Sequence, residues 1–215
     1  MRYIYLHGFA SGPGTRKGQY FKKRLAEEGI SLLIPDLNAG DFSHTTISKQ
    51  LAVVRHLIQQ GDDSVVLLGS SLGGFLAALV AEQVPTVKGI FMMAPGFDFY
   101  ARRKQIMGEK ALNEWQRRGV LDVFHHYLQK SVPLHYEFVE DARKYDGVSF
   151  TRTVPAWIVH GLEDEVVPFD ASFRYLRENE QAQLILLHAD HGMVGVLPML
   201  WEYFRLFRHL LKPNE

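Results

Sequence analysis

Serine, acid and histidine stand in the order Ser71, Asp164, His191, and together these residue types can transfer an acyl group. Ser71 is the centre of Gly69-Ser70-Ser71-Leu72-Gly73-Gly74, a G-x-S-x-G pattern between the apolar run Ser64–Leu68 and the helix-spaced stretch Leu72–Gln83. At such a strand-to-helix turn the flanking glycines permit a tight backbone and leave the serine Oγ exposed, while the helix N-terminus favours developing negative charge. A bare hydroxyl is a weak nucleophile at neutral pH, so this chemistry demands a base and a group that orients the base. Asp164 lies in the loop His160 to Pro168, just past a strand reading that ends at Val159. His191 follows the strand reading that ends at Leu187 and precedes Gly192. Glu163, Glu165 and Asp98 are alternative acids, and His188 is an alternative base, but it sits closer to its strand than His191 does. His160 ends a strand and reads as a packed structural histidine. The plain structural reading of the serine motif is a glycine-rich helix start capped by a serine, which suits Ser70 better than Ser71.

A tetrahedral intermediate also needs hydrogen-bond donors for its oxyanion. The backbone N–H after the nucleophile, Leu72, and one from the loop after the first strand, Phe9, are the candidates. Phe9 follows His7-Gly8, where the glycine lets the backbone approach a reacting carbonyl. The nearby Gly12, Gly14 and Lys17 do not complete a phosphate loop, because Gly18 is followed by Gln19 rather than Lys. His125 and His126 are adjacent and would diverge on a helix, so no metal site is expected there. The chemistry needs neither metal nor cofactor.

The elements that must position these residues can be read from apolar patterning. Strands are expected at Arg2–Leu6, Ser31–Ile34, Ser64–Leu68, Val87–Met93, Ala156–Val159 and Gln183–Leu187. Helices are expected at Lys17–Glu28, Ile47–Gln60, Leu72–Gln83, Ala171–Asn179 and Val196–Leu211. The alternation predicts an α/β fold with a mostly parallel, doubly wound sheet of about six strands. Residues 97–152 interrupt the rhythm. Helical spacing at Arg102–Arg118, Leu121–Gln129 and Glu137–Tyr145 predicts a small inserted helical cap on a single domain spanning 1–215, since a structureless loop of that length is improbable. Its aromatic residues, with Phe97, Phe99 and Trp115 as candidates, would line an acyl pocket. The simpler alternative is that they glue the cap to the sheet.

Composition bounds the partners. The 215 residues are 47% hydrophobic and 22% charged, with 24 basic against 24 acidic side chains. That balance lacks the footprint of a nucleic-acid or membrane-surface binder. No run is long enough to insert in a membrane, and the absence of cysteine is compatible with a reducing, cytoplasmic setting.

Taken together, His7-Gly8, the Ser71 elbow, Gly161-x-x-Asp164-x-x-Val167-Pro168 and His191-Gly192 resemble the α/β-hydrolase superfamily along almost the whole chain. The chain is similar to compact esterases that lack the first two strands of the larger sheet. More loosely, Trp115–Val120 and Tyr136–Tyr145 resemble the branch containing the acyl-protein thioesterase that cleaves acyl glucuronides. The resemblance implies a cofactor-independent serine hydrolase acting on a small-molecule acyl ester or thioester. It also leaves open a non-catalytic ligand-binding relative, a peptidase or a C–C hydrolase, since one fold serves many functions.

Overall fold

A computed structural model of the protein describes residues 1–211. Six parallel strands form the central sheet: β1 (Arg2–Leu6), β2 (Leu32–Leu33), β3 (Val65–Ser70), β4 (Val87–Met93), β7 (Ala156–Gly161) and β8 (Ala182–Leu187). Their order across the sheet is β2-β1-β3-β4-β7-β8. Every pairing is parallel, so the chain must cross over between neighbouring strands, and the helices that do so cover both faces. The six strands expected from the sequence are those observed.

Alternation along each strand divides the core into two layers. On one face Ile4, Leu6, Val65, Leu67, Ile90 and Met92 join the side chains of α2 (Ile47–Gln59) and α3 (Leu72–Gln83). On the other, Tyr3, Tyr5, Val66, Leu68, Phe91 and Met93 meet α1 (Arg16–Ala26) and α7 (Leu197–Leu210), through Phe21, Trp201, Phe204 and Phe207. A further helix, α6 (Asp170–Glu178), adds Tyr175 to the first layer. Helix α3 has no polar face: every residue from Leu72 to Ala81 is buried. It is therefore the internal pillar of the fold, and its N-terminus is held rigidly at the sheet edge.

The insertion between β4 and β7 differs from the expected helical cap. Helix α4 (Phe99–Arg118) agrees with the reading, although it kinks at Gly108, where φ is 78°. A short helix α5 (Glu137–Ala142) and a 3-10 turn (Arg143–Tyr145) occupy the third predicted helix. The stretch Leu121–Gln129, read as helical, is instead most of an antiparallel hairpin: β5 (Val120–His125) pairs with β6 (Lys130–His135). Leu121, Phe124 and Leu128 mimic helical spacing. The burial of β5 nevertheless has period two, with Leu121, Val123 and His125 turned inward and Asp122 and Phe124 exposed. The turn conceals itself because the left-handed position is taken by Gln129 rather than by glycine. The tip of the hairpin docks on the loop after β1. His126 N–H donates to Ala10 O at 2.8 Å, and the Tyr127 ring lies so close to Gly12 and Gly14 that a Cβ at either would stand 2.7 Å or 2.4 Å from it.

Candidate active site

Ser71 occupies the turn between β3 and α3 with φ 54° and ψ −122°, a region that non-glycine residues rarely enter. The surroundings hold it there. Its N–H donates to Met93 O at 2.9 Å, and its carbonyl accepts from Gly74 N–H at 2.9 Å and Gly96 N–H at 2.8 Å. The two flanking glycines are needed for close approach. A Cβ on Gly69 would sit 2.3 Å from Gly73 O, and one on Gly73 would sit 2.0 Å from Leu6 O. Both contacts are with backbone, which cannot yield as a side-chain tip can.

The loops after β7 and β8 are zipped together. Leu162 N–H donates to Leu187 O at 2.8 Å and Glu163 N–H to Ala189 O at 3.1 Å. Gly161 allows this, because a Cβ there would meet Ala189 O at 2.2 Å. The consequence is that Asp164 and His191 face each other and Ser71. His191 Nδ1 lies 2.7 Å from Asp164 Oδ2, and His191 Nε2 lies 3.1 Å from Ser71 Oγ. Asp164 is buried, and its Oδ1 accepts from the N–H groups of Val166 at 2.9 Å and Val167 at 2.8 Å. Burial by itself would raise the pKa of this carboxyl. Hydrogen bonds from His160, His191 and the Val167 N–H outweigh it and hold the group well below the usual carboxylate range.

The alternatives named from the sequence fall elsewhere. Glu163 and Glu165 are exposed, and Glu163 lies 3.7 Å from an equally exposed His188. Asp98 accepts from Gly147 N–H and pairs with Arg174 at 3.0 Å. His160 is fully buried, as a structural histidine should be, yet it also touches the site. Its Nε2 faces two acceptors, Val167 O at 2.9 Å and Asp164 Oδ2 at 3.3 Å, so this nitrogen carries the proton. Its Nδ1 then accepts from Ser172 Oγ at 2.8 Å.

The loop after β1 lies above Ser71. A Cβ on Gly8 would be 3.4 Å from Ser71 Cβ, so glycine keeps this space open. His7 fixes the loop from beneath: its Nδ1–H donates to Gly8 O at 3.0 Å and its Nε2 accepts from Leu37 N–H at 3.1 Å. That places the Phe9 backbone at the cleft containing Ser71. The Leu72 N–H, in the first turn of α3, has no partner within the helix. Phe9 lines the Ser71 cleft, and Leu72 directly follows Ser71 at the start of α3.

Of the three cap aromatics, Phe99 and Trp115 line a partly open apolar pocket of about 80 Å³ within the cap, to which the sheet domain contributes Phe9. Phe97 does not. It packs among Phe75, Phe150 and Tyr175 in the core, with 1% of its surface exposed, and borders neither cavity nor cleft. Immediately after the β4 strand the chain turns inward through Ala94 and Asp98, both at positive φ, and this turn points Phe97 into the core. Trp115 has a structural tie as well, its Nε1–H donating to Leu134 O at 3.1 Å.

Two basic residues of this region have places that the sequence reading did not assign, Lys17 having entered it only in the rejected phosphate loop and as a helix start, and Arg103 only within a helix. Lys17 Nζ donates to Gly192 O at 2.9 Å, bracing the loop that bears His191. Burial pushes its pKa down to about 8, with Asp164 and Asp190 pulling the other way. Arg103 lies on α4 between the cavity and the cleft. No motif marks either residue. Only the packing of distant elements brings them to the site. Among the described residues no cluster of histidine and carboxylate side chains is arranged to hold a metal ion.

A parallel sheet in this order, a strained serine at the β3–α3 turn, and acid and histidine on the loops after β7 and β8 define the α/β-hydrolase fold. Solved structures agree on the fold. Alpha/beta hydrolase domain-containing protein 10 from mouse superposes with a TM-score of 0.79 at 20% identity, covering 97% of this chain and 90% of that one. A putative hydrolase from Agrobacterium vitis gives 0.83 at 20% identity, covering 96% and 87%. Est1E from Butyrivibrio proteoclasticus, with ferulic acid bound, gives 0.76 at 21% identity, covering 96% and 89%. The chain itself belongs to Uncharacterised protein family (UPF0227), whose model matches residues 2–208.

Proposed function

We propose that the protein is a serine hydrolase that cleaves small carboxylic esters or thioesters through an acyl-enzyme on Ser71. The observation that carries this reading is the unbroken hydrogen-bond chain Ser71 Oγ, His191, Asp164, with the serine in a strained turn facing an open cleft. His191 Nε2 takes the Ser71 proton as Oγ attacks the acyl carbonyl, and Asp164 stabilises the imidazolium that forms. The Phe9 and Leu72 N–H groups receive the oxyanion. The imidazolium then gives its proton to the departing alcohol or thiol. Water, deprotonated by the same histidine, releases the acid and restores Ser71. The reaction consumes one water and needs no cofactor. The ferulic acid bound to Est1E, itself a carboxylic acid, is in keeping with this reading.

Fluorophosphonate labelling together with turnover of p-nitrophenyl butanoate and an acyl thioester tests it. The Ser71→Ala variant loses one exposed oxygen, so it should fold normally, fail to label, and lose about four to six powers of ten in turnover. Undiminished esterase activity in purified Ser71→Ala protein would remove the assignment.

A further inference from the structure

The charges of this chain balance overall, but around the nucleophile they do not. The cleft holding Ser71 has a volume of about 420 Å³ and is bordered by the basic side chains Arg16, Lys17 and Arg103, with no aspartate or glutamate on its wall. Of these, Lys17 is engaged with the backbone of the His191 loop and is influenced by Asp164 and Asp190. Arg103 has no such employment. Its guanidinium lies over the rings of Phe9, at 5.1 Å, and Phe99, at 5.6 Å. Among the described residues no carboxylate lies close enough to pair with it, and burial is the one influence on its pKa, which it lowers. Its sequence neighbour makes the contrast: Arg102 donates to the carbonyls of Phe97 and Val166. Cation–π contacts orient Arg103 without neutralising it. Arg103 is half-buried and none of its nitrogens is shut away from solvent without a partner, so its planar fork is open to a ligand, and the partner that suits it is a bidentate oxyanion.

Arg103 also stands at a junction, because it borders both the nucleophile cleft and the apolar pocket of the cap, as do Phe9 and Val123. An anion bound there would be positioned by the same ring whose backbone N–H serves the oxyanion. Building on the hydrolase reading above, we propose that the substrate carries an anionic group, a carboxylate or a phosphate, and that Arg103 is the residue that reads it. The anion is part of the ester or thioester itself, either on its acyl portion or on its leaving group.

Two matched pairs of esters distinguish these sources. In the first, p-nitrophenyl hydrogen glutarate is compared with its neutral methyl ester, which places a carboxylate on the acyl side. In the second, 4-(butanoyloxy)phenyl phosphate is compared with 4-methoxyphenyl butanoate, which places a phosphate on the leaving group. The wild-type protein should favour the anionic member of one pair in kcat/KM by about tenfold or more, and salt should erode the preference. In Arg103→Gln the anionic-to-neutral ratio should fall to near one, and in Arg103→Lys it should be intermediate. A guanidinium that merely covers Phe9 and Phe99 would, when replaced, lower both members of a pair in proportion and leave the ratio unchanged. That result, or a wild-type protein with no anionic preference in either pair, overturns the proposal. Neutral-ester turnover that depends on Ser71 but shows no anionic preference overturns the anion reading alone. Absence of Ser71-dependent turnover of all four esters overturns the hydrolase reading with it.

Discussion

At the scale of single residues, Asp164 is the most heavily supported group of the site. Four donors converge on one carboxylate: two backbone N–H groups, His191 and the Nε2–H of His160. An asparagine there would keep the shape but present an amide where His191 needs an acceptor. Asp164→Asn should therefore lower turnover by about 10⁴ with little change in KM, whereas Asp98→Asn, which disturbs contacts to Gly147 and Arg174, should leave turnover close to wild type. Steady-state kinetics of the two variants check this, and a reversal would move the acid to the loop after β4. Lys17 gives a prediction in pH. Its folded pKa of about 8 lies below the ordinary 10.5, so below pH 8 both folded and unfolded chains carry the proton and the folded state bears the full cost of burying it. As pH climbs from about 8 to about 10.5 the unfolded chain binds more protons than the folded one, and this residue's contribution to stability becomes more favourable. Urea unfolding of wild type and Lys17→Met should show the difference in stability shifting towards wild type between about pH 7 and about pH 10. A constant difference would mean that the ammonium is not perturbed. The serine, acid and histidine were legible because each sits beside a glycine or strand end with a recognisable spacing. Lys17 and Arg103 were not, since what makes them matter is tertiary proximity.

At the scale of elements, the contact between α3 and β1 sets the position of Ser71. A methyl group at Gly73 would be driven into Leu6 O and His7 O, the last carbonyls before the loop that carries Phe9. Gly73→Ala should thus shift the whole helix start and cost more than about 3 kcal/mol, an outcome reserved for strained or overpacked sites. Ser71→Ala, two residues away, should cost almost nothing, so thermal unfolding of the pair separates a residue needed for chemistry from one needed for geometry. The six sheet strands could be read because strands covered on both faces are continuous apolar runs with definite ends. The hairpin β5–β6 could not, for it is half exposed, carries Pro133, and turns through His126–Gln129 without a glycine. A pattern of apolar residues three and four apart then arises from the alternation of a strand with one exposed aromatic, Phe124.

At the scale of the whole molecule, the hydrolase reading makes the apolar pocket within the cap the place for the acyl chain, and its size then sets an expected limit. Its volume of about 80 Å³ is around half that of an engineered cavity of about 150 Å³ that accommodates benzene, which leaves room for roughly three to four carbons. With about 0.8 kcal/mol for each CH₂ placed there, kcat/KM for p-nitrophenyl esters should rise from acetate to about butanoate and then level off or fall. Phe99→Ala, which removes one wall, should move that maximum to longer chains. A profile that is flat in both proteins would leave the cap as a cover with no part in choosing the acyl group. The order of the sheet has a different kind of consequence. Ser71 and His191 are 120 residues apart, and the histidine reaches the serine only after β8 has paired with β7. On the ribosome Ser71 is therefore made 120 residues before its histidine, and the hydrogen-bond chain between them cannot close until β8 has emerged and paired. Because pairings so distant in sequence close late, labelling of Ser71 should report the last step of folding rather than the first collapse. A product truncated before His191, however compact, would carry the serine without its base, and on the hydrolase reading it would turn over no ester.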